Sequence, residues 1–182
     1  SDVCSSDLVT DTPENGGLGF TMKWNMGWMN DFLSYMQKDP VYRKYHHNQM
    51  NFGMMYAYSE KFILVLSHDE VVHGKCSLVE KMPGYPQDKL ENLKAAYGFF
   101  LGHPGKKLLF MGQDFAQNNE WSEAKELDWG LMKDPGHKQV HDYMKALISL
   151  YRNHPCLYEL DTEEKGFEWI SVDDADRSIF SF

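Results

Sequence analysis

Cysteine is scarce: three stand in 182 residues, Cys4, Cys76 and Cys156, widely spaced and with no C-x-x-C pair. An odd and scattered set argues against a disulfide framework or a structural zinc site and fits a reducing, cytoplasmic compartment. Long apolar runs are missing too. The longest purely aliphatic-aromatic stretch is Phe62 to Leu66, far too short to span a bilayer, and no basic-then-apolar leader opens the sequence. Positive charge is in deficit, with 18 Lys and Arg against 27 Asp and Glu, a net −9 with His neutral. Nucleic acid and anionic membranes need clustered cations, so neither is expected as a main partner.

Several catalytic signatures are also absent. Gly16-Gly17-Leu18-Gly19 precedes an expected strand rather than a helix, the wrong context for a phosphate cradle, and no G-x-S-x-G elbow occurs. His68-Asp69-Glu70-Val71-Val72-His73 superficially resembles H-E-x-x-H, but its two His are five residues apart. On a helix that is about 140° of rotation, so they would not face one ion. His137 and His141 have chelating spacing yet read as a solvent-facing pair. No metal and no cofactor is expected.

What is present is apolar and aromatic. The hydrophobic share is 42% and the aromatic share 14%, with 11 Met. A well-filled core accounts for much of this, and a groove for a ligand with flat apolar faces, such as a sugar, is the sharper reading. Phe20, Met22 and Trp24 alternate in a short strand over 19–25. Asn30 and Asp31 can cap a helix that Asp39-Pro40 stops. Residues 46–59 read as a second helix or an irregular crossing. Phe62 to Leu66, continuous and partly β-branched, fits a strand buried on both faces. A helix follows over 87–101, with Leu90, Leu93, Tyr97 and Leu101 on one stripe, then a short strand over 108–111. A second strong helix spans 136–152, with Val140, Met144, Leu147 and Tyr151 inward. A hairpin is expected from 166–172 and 177–182 around Asp173 to Asp176.

Strand starts recurring roughly every 45 residues with helices between them suit a parallel α/β sheet or a (β/α)8 barrel. Three strands cannot close a barrel, which takes about eight, so either the sheet is small and open or most of a barrel is missing. The opening octet, SDVCSSDL, reads as a non-native remnant (residues 1–8), and the strand-like ending at Phe182 reads as an internal cut.

In parallel α/β folds reactive groups gather past the carboxyl ends of strands. Three segments qualify: 23–28, 67–70 and 112–115. His68-Asp69-Glu70 is the sharpest, because charges placed after a fully apolar strand must face a polar cavity or pair up. A plain solvated loop with a helix cap is the bland reading of the same residues. Trp24, Trp28, Trp121 and Trp129 flank these strand ends. Each could stack on a pyranose, and Trp121, in a polar loop, is the hardest to explain as core.

Taken together, these residues resemble a known family. Gly17-Leu18-Gly19-Phe20 with Lys23-Trp24-Asn25-Met26-Gly27-Trp28 is similar to the sixth-strand region of glycogen (1,4-α-glucan) branching enzymes. Leu66-Ser67-His68-Asp69-Glu70-Val71-Val72-His73-Gly74-Lys75 looks like their seventh-strand motif. Lys81-Met82-Pro83-Gly84, the run from His103 to Gly112 and Leu127-Asp128-Trp129 continue the match. The resemblance implies glycoside hydrolase family 13. Residues 9–160 would be the carboxy-terminal portion of a (β/α)8 barrel, about strands six to eight, and 161–182 the start of an all-β domain.

It also implies a transferase that moves an α-1,4-glucan segment to a 6-hydroxyl, with α-glucan as partner and a monomeric parent. The mechanism would be retaining, with an Asp nucleophile and a Glu acid. Asp69 would be the family's third carboxylate, His68 would hydrogen-bond the same sugar, and Trp24 would contact substrate. The nucleophile and acid would lie upstream of Val9, so the chain alone is expected to be inactive. Glu14 matches neither role, and Asp114 stands where the family usually carries Glu. The alternatives are a hydrolytic or debranching relative and a non-catalytic glucan-binding module.

Overall fold

The run from Phe62 to Leu66 becomes the central strand of a parallel sheet because it has nothing polar to show to water. The computed structural model describes residues 5–182. Residues 1–4, with Cys4 and half of the octet set aside above, lie outside the described residues. A helix α1 (Ser5–Thr10) leads into a loop in which the Val9 carbonyl accepts the Phe20 N–H at 3.0 Å. Strand β1 (Lys23–Trp24) is short and is followed by helices α2 (Met26–Met36), α3 (Pro40–Arg43) and α4 (Asn48–Asn51). Strand β2 (Phe62–Leu66), helices α5 (Leu78–Lys81) and α6 (Pro86–Gly102), strand β3 (Lys106–Leu109) and helix α7 (Pro135–Asn153) come next. A hairpin of β4 (Ser171–Asp174) and β5 (Ile179–Ser181) closes the described chain.

The sheet order is β1-β2-β3, both pairs parallel, with Trp24 opposite Ile63 and Leu66 opposite Leu109. The architecture is therefore mixed α/β, with one parallel and one antiparallel sheet. Leu64, Val65 and Leu66 are each at most 1% exposed, so β2 is covered on both faces. Each such side chain contributes about 1.5–3 kcal/mol of burial. Helix α6 lays Leu90, Leu93, Tyr97 and Leu101 into this core, and α7 adds Val140 and Met144. Those two stripes match the helical periodicity of the sequence.

Several boundaries differ from expectation. Strand β1 starts only at Lys23, because Gly19 turns at φ 72° and the Phe20 N–H goes to Val9 rather than to a sheet neighbour. Phe20 is left 60% exposed. Helix α2 starts earlier than expected. Its cap is the buried Asn25, whose side chain accepts the Trp28 N–H at 2.9 Å, and the expected caps Asn30 and Asp31 both lie inside the helix. Strand β3 begins at Lys106, two residues before the expected start. Lys106 reaches the Asp161 carboxylate at 3.2 Å and Lys107 donates to the His103 carbonyl at 2.5 Å, so neither ammonium needs a loop.

Residues 46–59 form the expected irregular crossing, a string of short helical turns that includes α4. In the hairpin the first strand starts at Ser171 rather than at 166, because 164–166 close a helical turn of their own. The connecting turn falls at 175–178, two residues later than expected, with Ser178 at φ 54°. The hairpin docks on the helices: Phe180 stacks on His47 at 3.9 Å between centroids, and His47 Nε2 lies 2.7 Å from the Val172 carbonyl. Among the described residues no helix is long and apolar enough to cross a membrane.

Candidate active site

Strand β2 runs directly into a polar turn, and that turn sorts its two carboxylates. Residues 68–70 form one 3-10 turn closed by a capping box. Ser67 Oγ accepts the Asp69 N–H at 3.2 Å, and a Glu70 carboxylate oxygen accepts the Ser67 N–H. Glu70 is thereby used inside the fold and is only 5% exposed. Asp69 is left facing out, its side chain 53% exposed and one oxygen 3.2 Å from His68 Nε2. The His68 ring is held from behind by Trp121, edge-on at 5.6 Å, and by Phe110 at 5.9 Å.

Asp69 lines an open hollow of about 460 Å³. Helix α2 forms one wall through Met29, Asn30 and Leu33, and Lys75 and Lys81 also line it. Burial pulls the Lys81 ammonium below its usual range, and its Nζ donates to the Lys75 carbonyl. An outward carboxylate and two lysine side chains around one hollow can hydrogen-bond a polyhydroxylated ligand, with the charged partners making the stronger bonds.

A neighbouring hollow of about 510 Å³ lies beyond the loop, between Val72-His73 and 119–125, and Trp121 lines it. Trp121 is thus both a packing residue and a wall.

The other expected residues separate. Trp24, 40% exposed, sits opposite Ile63 on the sheet edge, away from the lining of the Asp69 hollow among the described residues. The register explains this: Asp69 lies six positions beyond Ile63, past the strand end. Trp28 is core, 3% exposed and stacked on Phe32 at 4.7 Å. Trp129 is 59% exposed and stacks on Phe115. The third strand-end segment is occupied internally. Gln113 accepts the Leu78 N–H at 3.2 Å, and Asp114 faces His141 at 3.2 Å. His137 is buried rather than solvent-facing, because its Nδ1 bonds the Phe115 carbonyl at 3.1 Å. Among the described residues no group of three or more His, Cys, Asp or Glu could hold a metal.

No family model matches the chain. Curated relatives do. It is 56% identical over 174 residues to the 1,4-alpha-glucan branching enzyme GlgB of Butyrivibrio fibrisolvens, covering 96% of this chain and 27% of that protein. It is equally 56% identical over 174 residues to the 1,4-alpha-glucan branching enzyme GlgB of Shewanella sp. (strain MR-4), covering 96% of this chain and 23% of that protein. Over 96% of its length the chain corresponds to one segment of these 1,4-alpha-glucan branching enzymes. It spans about a quarter of the length of these branching-enzyme relatives.

Sequence reasoning gave no role to Lys75, Lys81 or Glu120. Lys75 lies in a loop and Lys81 at the end of the short helix α5, and only the folded chain brings them to one hollow. Glu120 carried one available signal, its place beside Trp121 in an otherwise polar loop.

Proposed function

We propose that this chain supplies part of the catalytic centre of a 1,4-α-glucan branching enzyme, with Asp69 as the carboxylate that holds sugar hydroxyls. One observation carries the reading. An exposed carboxylate, braced by His68, stands past the carboxyl end of the buried central strand and faces an open hollow. In this reading the parallel sheet is about strands six to eight of a (β/α)8 barrel, and residues 161–182 begin an all-β domain.

The chemistry is retaining. A nucleophilic Asp and an acid Glu, both supplied by the rest of the parent, make and break the glycosidic bond. Asp69 accepts hydrogen bonds from hydroxyls of the sugar ring being cut. Those bonds strengthen as the ring flattens and gains positive charge, which lowers the barrier. His68, held by Trp121 and Phe110, presents a ring nitrogen to the same sugar. The 6-hydroxyl of an acceptor glucan then takes the segment, forming an α-1,6 branch.

The test replaces the aligned segment of the Butyrivibrio fibrisolvens enzyme with residues 9–182 of this chain. Incubated with amylose, the chimera should form new α-1,6 linkages, and the purified chain alone should form none. A folded but inactive chimera would refute the reading, and branching by the isolated chain would refute its dependence on upstream residues.

A further inference from the structure

The loop after the Asp69 turn is gripped from two sides. Glu120, from the loop that follows β3, accepts the Gly74 N–H at 3.0 Å on one carboxylate oxygen and the Cys76 N–H at 2.7 Å on the other. From α5 the Lys81 ammonium donates to the Lys75 carbonyl. Both residues that Glu120 grips are left-handed, Gly74 at φ 82° and Cys76 at φ 63°. The second is a conformation that an L side chain rarely adopts without support. Next to Glu120, the Trp121 N–H donates to the Val71 carbonyl at 2.8 Å. Residues 71–76 are therefore strapped to the 120–121 segment at three backbone points, and Lys75, between the two gripped amides, lines the Asp69 hollow.

We infer that Glu120 is a positioning residue for the glucan site: its carboxylate fixes the 73–76 loop so that Lys75 reaches the hollow beside Asp69. The catalytic half of this inference rests on the functional reading above. The two backbone bonds also hold the Glu120 carboxyl below the usual carboxylate range, so the strap stays ionised across the neutral region. His73, whose Nδ1 lies 3.5 Å from Glu120, is fully exposed and adds little.

Glu120→Gln is the informative substitution. It keeps the length but leaves one acceptor oxygen where two N–H groups need one each. Hydrogen exchange on the intact chain should speed up at the Gly74 and Cys76 amides by roughly ten- to hundredfold, while the melting temperature holds within a few degrees. In the chimera, Glu120→Gln should lower kcat by roughly tenfold. Adding it to Lys75→Met should cost nothing further, because the two act through one contact.

Unchanged exchange in Glu120→Gln would overturn the strap. Faster exchange with unchanged kcat, or additive losses in the double variant, would overturn the positioning role. A wild-type chimera that folds but does not branch would overturn the functional reading and the catalytic half with it, while the exchange result still decides the strap.

Discussion

At the carboxyl end of β2 the ionisable groups Asp69 and His68 are each about half exposed, whereas at the amino end of β3 His103 is shut inside the protein and the Lys107 ammonium is drawn inward against backbone carbonyls. Both ends concentrate charge beside the same apolar strands. At the amino end the polar groups work on the fold. Lys107 donates to the carbonyls of His103 and Gly105 and lies over the Tyr151 ring at 5.4 Å. His103 bonds the Pro104 carbonyl through Nδ1 and packs against Trp28 and Phe99. At the carboxyl end Glu70 does that work and Asp69 is spared. The difference separates groups kept for structure from groups available to a ligand, and it rests on burial and partners rather than on residue type.

The largest effect should break the comparison most cleanly. On the proposed reading, Asp69→Asn in the chimera removes a charge whose hydrogen bonds to the sugar strengthen in the transition state, so kcat should fall by about 10²–10³-fold. The melting temperature should barely move, because the turn is held by Ser67 and Glu70 rather than by the Asp69 side chain. A parallel drop in stability and activity would show that Asp69 belongs with the structural groups.

The inward pair should answer to pH instead. Burial lowers His103 to about 4 and Lys107 to about 7, below their ordinary values of 6.5 and 10.5. In both cases the unfolded chain binds more protons than the folded one, so stability rises with pH across each window. The His103 contribution is complete above pH 6.5 and is lost as pH falls through 4. The Lys107 contribution grows from pH 7 to 10.5 as its ammonium discharges. The His103 limb is on the order of 3 kcal/mol. The Lys107 limb is weaker than its shift alone implies, because part of that side chain stays in water. Melts from pH 4 to 10 should show both limbs, with His103→Phe flattening the acid one and Lys107→Met the alkaline one. Limbs that persist unchanged in these variants would assign the slopes to surface groups.

How much of this was legible depended on whether the signal was local. Strand β2 and helices α6 and α7 follow from an apolar run and two apolar stripes whose residues lie close together in the chain. The Asp69 turn follows from charge placed directly after such a run. The start of β1 does not, because it is set by a bond between Phe20 and Val9, and no periodicity records that. The start of β3 was hidden by two lysines whose partners, Asp161 and the His103 carbonyl, become visible only on folding. The place of Trp24 depends on strand register, and the grip of Glu120 on Gly74 and Cys76 joins segments far apart in the chain.

The smallest effect sharpens the comparison around a single helix. Asn25 and Asn30 both stand in the first turns of the α2 region, and the sequence favoured Asn30 as part of the cap. Asn25 is 4% exposed and its Oδ1 takes the Trp28 N–H at 2.9 Å, while Asn30 is exposed on the wall of the Asp69 hollow. Asn25→Ala should therefore cost about 1 kcal/mol, since it strands a helix-end N–H in a buried setting. For a chain of this size that lowers the melting temperature by about 2–4 °C. Asn30→Ala should stay within about 0.5 kcal/mol of the parent, as exposed substitutions away from caps do. Equal costs would mean that the cap is shared along the turn, and a larger cost at Asn30 would return the helix start to where the sequence alone had placed it.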